Sequence, residues 1–325
     1  MEQRLDTRFT RRFGVPHPVA LAPMDKVSGG RLAAAVSQAG GLGLIGGGYG
    51  DPAWVEAAFE EAGDAPVGIG VITWSVARRP ELIERILARR PKAVMVAFGD
   101  GGEIVAKARA AGVPTLWQVH RLAQAREALA AGVDALVVQG QEAGGHGMDR
   151  GLTALLPAVR DLAGPDLPIL AAGGLADGRG LAAALMLGAD GVLLGTRFWA
   201  SEEAAGTAAA KAQLVARGGD ETLRSKVFDV ARDAPWPWEF TGRTLHNAFS
   251  QRWHRDVQGL AAAAATERAR YDAADPDDFD TRVLIAGEAL DLVHEIRPAG
   301  EILAQVVEEA AALLRGAGRH LAAGA

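Results

Sequence analysis

The stretch VVQGQEAGGHG, residues 137–147, sets one histidine, His146, and one carboxylate, Glu142, among four glycines. A histidine changes charge near neutral pH, so His146 reads either as a general base, the candidate catalytic residue, or as a surface histidine in a flexible loop. Bare glycines beside it let a ligand come close. Glu142 is read as orienting the loop, as touching a polyol-like ligand chain, or as facing solvent. Two further glycine-rich stretches, AAGGLADGRG (171–180) and LLGTRF (193–198), bring Gly173, Gly174 and Gly195 together with the Thr196 hydroxyl. Backbone N–H groups of that kind, next to a helix start, can hold a phosphate. Ala22-Pro23-Met24 is an apolar rim that either supports a flat ring or packs Met24 into the core.

Other chemistries are excluded or weak. The chain has no cysteine, so disulfides, iron–sulfur centres, thiolate zinc and a cysteine nucleophile are out. No second histidine or carboxylate stands at metal-ligand spacing from His146, and no metal is expected. GGLADGRG misses the dinucleotide-binding spacing, and no G-x-S-x-G elbow occurs. His17 reads as structural, while His246, His254 and His294 are undecided. Net charge is −6 without a long run of like charges, so neither nucleic acid nor an anionic membrane is an expected partner. The first residues lack an apolar signal core, and no uncharged apolar run approaches the roughly 20 residues that span a bilayer. A cytoplasmic location is the expectation.

These loops need a frame. Eight short apolar runs alternate with Ala-rich amphipathic segments: 18–24, 42–48, 67–74, 93–99, 114–119, 135–140, 168–174 and 191–198. The segments between them predict helices near 29–39, 52–62, 80–90, 101–111, 121–131, 152–162 and 177–187, with Ser28, Asp51 and Asp177 at the helix starts and glycines at the ends. An eightfold repeat of this kind predicts an α/β fold, a closed (β/α)8 barrel whose loops after the strands meet at one mouth. Beyond residue 200 the rhythm changes. Residues 201–217 and 257–272 read as helical, 225–256 as irregular and Trp-rich, and 299–316 as the eighth barrel helix. Three parts follow: a barrel core over 1–200, a helical insertion over the mouth at 201–298, and a C-terminal barrel helix at 299–325. Exposed tryptophan is costly, so Trp236 and Trp238 are expected in a lid over the pocket or, less favoured, in a homodimer surface.

Together, Ala22-Pro23-Met24, VSGGRLAAAVSQAGGLGLIGGG (27–48), QGQEAGGHG (139–147) and PILAAGGLADGRGLAAALMLGADGVLLGTRF (168–198) resemble the nitronate monooxygenase (2-nitropropane dioxygenase) family. Its relatives include flavin-dependent enoyl-acyl carrier protein reductases and NAD(P)H:quinone reductases. The resemblance implies an FMN-dependent TIM barrel. Ala22, Pro23 and Met24 would line the flavin ring, and Gly173, Gly174, Gly195 and Thr196 would hold its phosphate. Gln118, Gln139, Gly145 and Ala172 would complete the cofactor-binding set. His146 matches the catalytic histidine, which deprotonates neutral nitroalkanes or assists substrate binding. The implied reaction is oxidation of alkyl nitronates by dioxygen to a carbonyl compound and nitrite. Three positions depart from the common pattern: Gly70 where Asn is frequent, Ala158 where Gln is frequent, and Leu193 where a polar residue is common.

Three enzymatic readings stand side by side. One is the nitronate monooxygenase. Another is an NAD(P)H-dependent flavin reductase of quinones or enoyl thioesters, in which Arg197 or Arg243 could meet an anionic substrate. The last is a flavin-free phosphate-binding barrel. A non-catalytic scaffold is the remaining class.

Overall fold

The computed structural model describes residues 4–320. Eleven strands are numbered in chain order: β1 Val19–Leu21, β2 Leu44–Gly48, β3 Gly68–Ile72, β4 Val94–Ala97, β5 Thr115–Val119, β6 Ala135–Gln139, β7 Gly145–Gly147, β8 Ile169–Ala172, β9 Gly191–Leu194, β10 Thr222–Ser225 and β11 Thr241–Leu245. All but β7, β10 and β11 form one parallel sheet in the order β1-β9-β8-β6-β5-β4-β3-β2. The sheet closes through Leu42, whose N–H donates to Val19 O at 3.0 Å while Leu21 N–H donates to Leu42 O at 2.9 Å. This is the expected (β/α)8 barrel.

Alternation along the strands divides the core in two. Val19, Leu21, Ile45, Leu136 and Val138 point outward and are buried under the helix ring. Ala20, Leu44, Met95, Leu116 and Leu170 point inward and fill the barrel. Phe9 and Phe13 join that inner cluster from a helix at Arg8–Phe13, so the bottom of the barrel is plugged by aromatic rings. The periodic reading began at residue 18 and missed this plug.

Strands are shorter than the apolar runs, because the chain turns as soon as it reaches the mouth. Thr73–Val76 and Thr196–Trp199 are single helical turns, not strand extensions. The helices lie where expected, from Gly30–Gln38 to the eighth at Ala299–Arg315. That last helix seats against Gly178, where a Cβ would lie 2.5 Å from Ala310 N. Asp51 and Asp177 cap their helices as expected. Ser28 does not: Gly29 is the cap, and the Ser28 hydroxyl donates to Ala22 O at 2.8 Å and accepts from Met24 N at 3.2 Å. Its work is to fold the Ala22-Pro23-Met24 loop back on itself.

The segment between β9 and the last helix is not purely helical. Residues 201–217 hold a helix only at Ala208–Ala216, and 257–272 is split into Val257–Ala262 and Ala264–Ala273. The stretch read as irregular contains a helix at Val227–Ala231, β11, and a helix at Ala248–Trp253. β10 and β11 pair antiparallel, and β11 pairs with β7. A three-stranded sheet therefore joins this segment to the glycine loop after β6. Among the described residues no helix is long and apolar enough to cross a membrane.

Candidate active site

A cavity of about 420 Å³ opens at the C-terminal ends of the barrel strands, within the range of small-molecule sites. The expected catalytic histidine and the expected flavin-binding residues all line it: Ala22, Pro23 and Met24 after β1, Gln118 on β5, Gln139 on β6, Gly145 and His146 on β7, Ala172 on β8 with Gly173 and Gly174 after it, and Gly195 and Thr196 after β9. Leu193 and Gly70 also line it, whereas Ala158 lies on the helix Leu152–Ala163 and does not.

The floor is polar and buried. Gln118 Nε2 donates to Gln139 Oε1 at 3.1 Å, and His120 Nε2 shares the same oxygen at 2.6 Å. Burial pushes the His120 imidazole down to about 4, so it is neutral at physiological pH, and its ring stacks on Phe98 with centroids 5.6 Å apart. Sequence reasoning missed His120, although it directly follows β5 and so had to stand at the mouth.

His146 is fixed on three sides. Its backbone pairs with Gly242 of β11. Its ring lies against Trp236, centroids 3.5 Å apart and planes 6° from parallel. Its Nε2 meets Asp229 Oδ1 at 2.8 Å, with both side chains buried. Burial lowers the His146 pKa, and the Asp229 carboxylate opposes that shift. Asp229 also faces Lys226 Nζ at 3.5 Å and Arg232 at 3.6 Å. Trp236 Nε1 donates to the Tyr49 hydroxyl at 2.7 Å, and Trp74, Phe98 and Phe240 pack edge-on around this indole or its neighbour. Trp236 is buried within this aromatic cluster, while Trp238 stays 75% exposed.

Glu142 orients the loop. Its Oε1 accepts from Leu152 N at 3.0 Å, capping the helix that follows. Arg224 donates to the carbonyls of Gln141 and Ala143, both at 2.9 Å, and Arg243 to Gln141 O at 3.0 Å. Arg243 also pairs with Glu288, and Arg197 is buried against the carbonyls of Ala200 and Glu295. Neither lines the cavity. The cations that do are Lys26 and Arg232. At the glycine corner after β8, Gly173 and Gly174 have φ of +104° and +70°. The start of the next helix is already occupied, since Asp177 accepts from Arg179 N and Gly180 N, and Glu309 accepts from Gly178 N. The Thr196 hydroxyl oxygen accepts from Gly287 N at 2.9 Å, which leaves its own proton free to donate. His246 is bonded to Gln251 outside the cavity, and His294 lines a separate small cleft beside Arg197.

Such a cavity brings together a buried imidazole, a buried amide floor, a glycine-lined corner and an aromatic wall. Residues 6–75 and 53–309 match the family model described as nitronate monooxygenase. The chain is 36% identical over 263 residues to (3aS,4S,5R,7aS)-5-hydroxy-7a-methyl-1-oxo-octahydro-1H-indene-4-carboxyl-CoA dehydrogenase of Rhodococcus jostii (strain RHA1), spanning 80% of this chain and 72% of that protein. It is 34% identical to nitronate monooxygenase npaC of Metarhizium robertsii over 93% of both chains. Its fold matches FabK from Thermotoga maritima with a TM-score of 0.84 and 26% identity, over 98% of this chain and 100% of that one. It matches nitroalkane oxidase from Streptomyces ansochromogenes with a TM-score of 0.76 and 28% identity, over 95% and 99%.

Proposed function

The chain belongs to the nitronate monooxygenase family and is an oxidoreductase, and from that premise we propose that it binds FMN at the barrel mouth and oxidises alkyl nitronates with dioxygen to a carbonyl compound and nitrite. The observation that carries this reading is the convergence of His146, the Gln118–Gln139 floor and the glycine corner on one cavity. In it, the barrel core up to residue 200 carries the cofactor, 201–298 cover the mouth and the helix Ala299–Arg315 completes the barrel wall.

The residues fit the cofactor. At Gly174 an added Cβ would lie 3.2 Å from Glu142 Cβ, and at Gly173 one would lie 3.0 Å from Gly140 O, so this corner has only backbone to offer a ligand. Backbone N–H groups there and at Gly195, with the Thr196 hydroxyl, would hold the phosphate. Ala22, Pro23 and Met24 would support one side of the ring, with Gly145 and Ala172 bordering it and the amides of Gln118 and Gln139 as hydrogen-bond partners. FMN, when bound, supplies the transfer of electrons from substrate to dioxygen. His146 accepts a proton from a neutral nitroalkane, and its lowered pKa keeps it in the base form near pH 7. The wall of Trp236, Phe98 and Phe240 keeps water from the site.

A second reading is favoured by the CoA dehydrogenase relative and by the match to FabK: NAD(P)H-dependent reduction of an enoyl thioester or quinone. Lys26 and Arg232 would then meet the phosphates of the nucleotide or thioester. Anaerobic mixing of flavin-loaded protein with propyl nitronate or with NADPH separates the two. Rapid bleaching of the flavin by the nitronate alone supports the first reading, and bleaching by NADPH alone supports the second. Colourless protein that cannot be reconstituted with FMN overturns both.

A further inference from the structure

We infer that Asp229, from the segment that covers the mouth, is a positioning residue that fixes the tautomer of His146, so that Nε2 carries the proton and Nδ1 is the atom that takes a proton from substrate. The inference rests on the reading of His146 as the base and names the device that makes it one.

Two contacts restrict the imidazole, and they restrict different motions. The parallel stack on Trp236 fixes the ring plane. It does not decide which way the ring is flipped within that plane, because a half-turn about Cβ–Cγ leaves the stack intact. The bond of Nε2 to Asp229 Oδ1 decides it, since the half-turn would put Cε1 where Nε2 now stands. An ionised carboxylate only accepts, so Nε2 must carry hydrogen and the lone pair of a neutral ring must sit on Nδ1. No protein partner of Nδ1 is recorded among the described residues, and His146 lines the cavity.

Lys226 Nζ and Arg232 face the Asp229 carboxylate at 3.5 and 3.6 Å. Lys226 is itself held by donating to Trp236 O and Pro237 O, at 3.3 and 2.9 Å. Tyr49 approaches through Trp236 and is pushed further from ionisation by burial. The charged groups facing His146 are therefore one carboxylate in contact and two cations behind it.

The step balances without further reagents. The C–H bond next to the nitro group breaks, its electron pair forms the C=N bond of the nitronate while the N=O π pair withdraws onto oxygen, and the proton forms a new N–H at Nδ1. The resulting imidazolium is paired with the Asp229 carboxylate through Nε2. Asp229 keeps its charge throughout, as an orienting acceptor does in a hydrolase triad.

The first test reads the tautomer directly. In flavin-loaded protein carrying 15N-histidine, the His146 signals, assigned by their loss in His146→Gln, should show a protonated Nε2 and a pyridine-like Nδ1 at pH 7.5. The opposite pattern overturns the inference, whatever the substrate proves to be. The second test is kinetic. In Asp229→Ala the turnover of neutral nitroalkane should fall about 100-fold relative to that of the preformed nitronate, which needs no base. Asp229→Glu should recover part of that ratio. An unchanged ratio in Asp229→Ala also overturns the inference. If the wild type oxidises neither substrate, the proposed function fails while the tautomer measurement still decides the role of Asp229. A variant that does not fold leaves the wild-type spectrum as the deciding result.

Discussion

A Cβ placed on Gly70 would lie 2.2 Å from Pro23 Cγ and 2.5 Å from Pro23 Cβ. The third strand and the loop after the first thus touch through a position that has no side chain. The Pro23 ring fills the space that a side chain at position 70 would take. Gly70→Ala should destabilise the protein by about 1–3 kcal/mol through overpacking. Pro23→Gly should relieve that clash, so the double variant should lose less than the sum of the single losses. Urea unfolding midpoints of the four proteins check it, and strict additivity would mean that the two positions do not meet.

His120 makes stability depend on pH. Its folded pKa is about 4 against an ordinary 6.5. Between those values only the unfolded chain takes up the proton, so stability is highest above about pH 6.5 and falls as pH drops toward 4. The full effect is about 3 kcal/mol. His146, shifted in the same direction by burial, adds to it. His120→Gln should flatten the curve of unfolding free energy against pH over this window. Parallel curves for the variant and the wild type would mean that folding does not lower the His120 pKa.

The aromatic plug should matter for stability and not for site geometry. Phe9 and Phe13 pack with tilted rings, centroids 5.0 Å apart, at the end of the barrel away from the cavity. Phe9 is fully buried. Phe9→Ala should cost about 3–5 kcal/mol, from lost burial and the hole it leaves. Thermal unfolding reads the loss, and a change under 1 kcal/mol would mean that the barrel floor closes over the gap.

What the sequence carried and what it did not follow one physical line. The barrel was legible because its signal is local: strands alternate inward and outward residues, and most barrel helices end at a glycine or start at a capping aspartate such as Asp51. The glycine corners and His146 were legible for the same reason, since their place after a strand fixes their place at the mouth. Ser28 was misread because a serine before a helix looks like a cap, while the backbone cap fell to Gly29 and the hydroxyl turned to Ala22. Asp229 and Arg224 were not legible. They reach the loop after β6 from more than 80 positions along the chain, through a small sheet whose strands show no clear periodicity. Arg243 was read as a candidate for substrate anions, but its guanidinium is held by Gln141, Thr222 and Glu288.

Thr196 offers the sharpest check on where the phosphate binds. Its hydroxyl oxygen already accepts from Gly287 N at 2.9 Å, so the hydroxyl proton is directed elsewhere, and Thr196 lines the cavity. Thr196→Val keeps the shape but removes both the acceptor for Gly287 and the donor to a ligand. Losing one hydrogen bond to a charged group should raise the FMN dissociation constant by about tenfold or more, from a loss of roughly 1.5–3 kcal/mol. Thr196→Ser keeps the hydroxyl and should bind FMN within about twofold of the wild type, on the scale where 1.4 kcal/mol is tenfold. Quenching of flavin fluorescence on titration measures all three. Riboflavin, which lacks the phosphate, should be bound with little difference between the wild type and the valine variant. If FMN shows equally little difference, the phosphate lies away from Thr196; if riboflavin loses as much as FMN, the hydroxyl acts through Gly287 and the fold of the mouth instead.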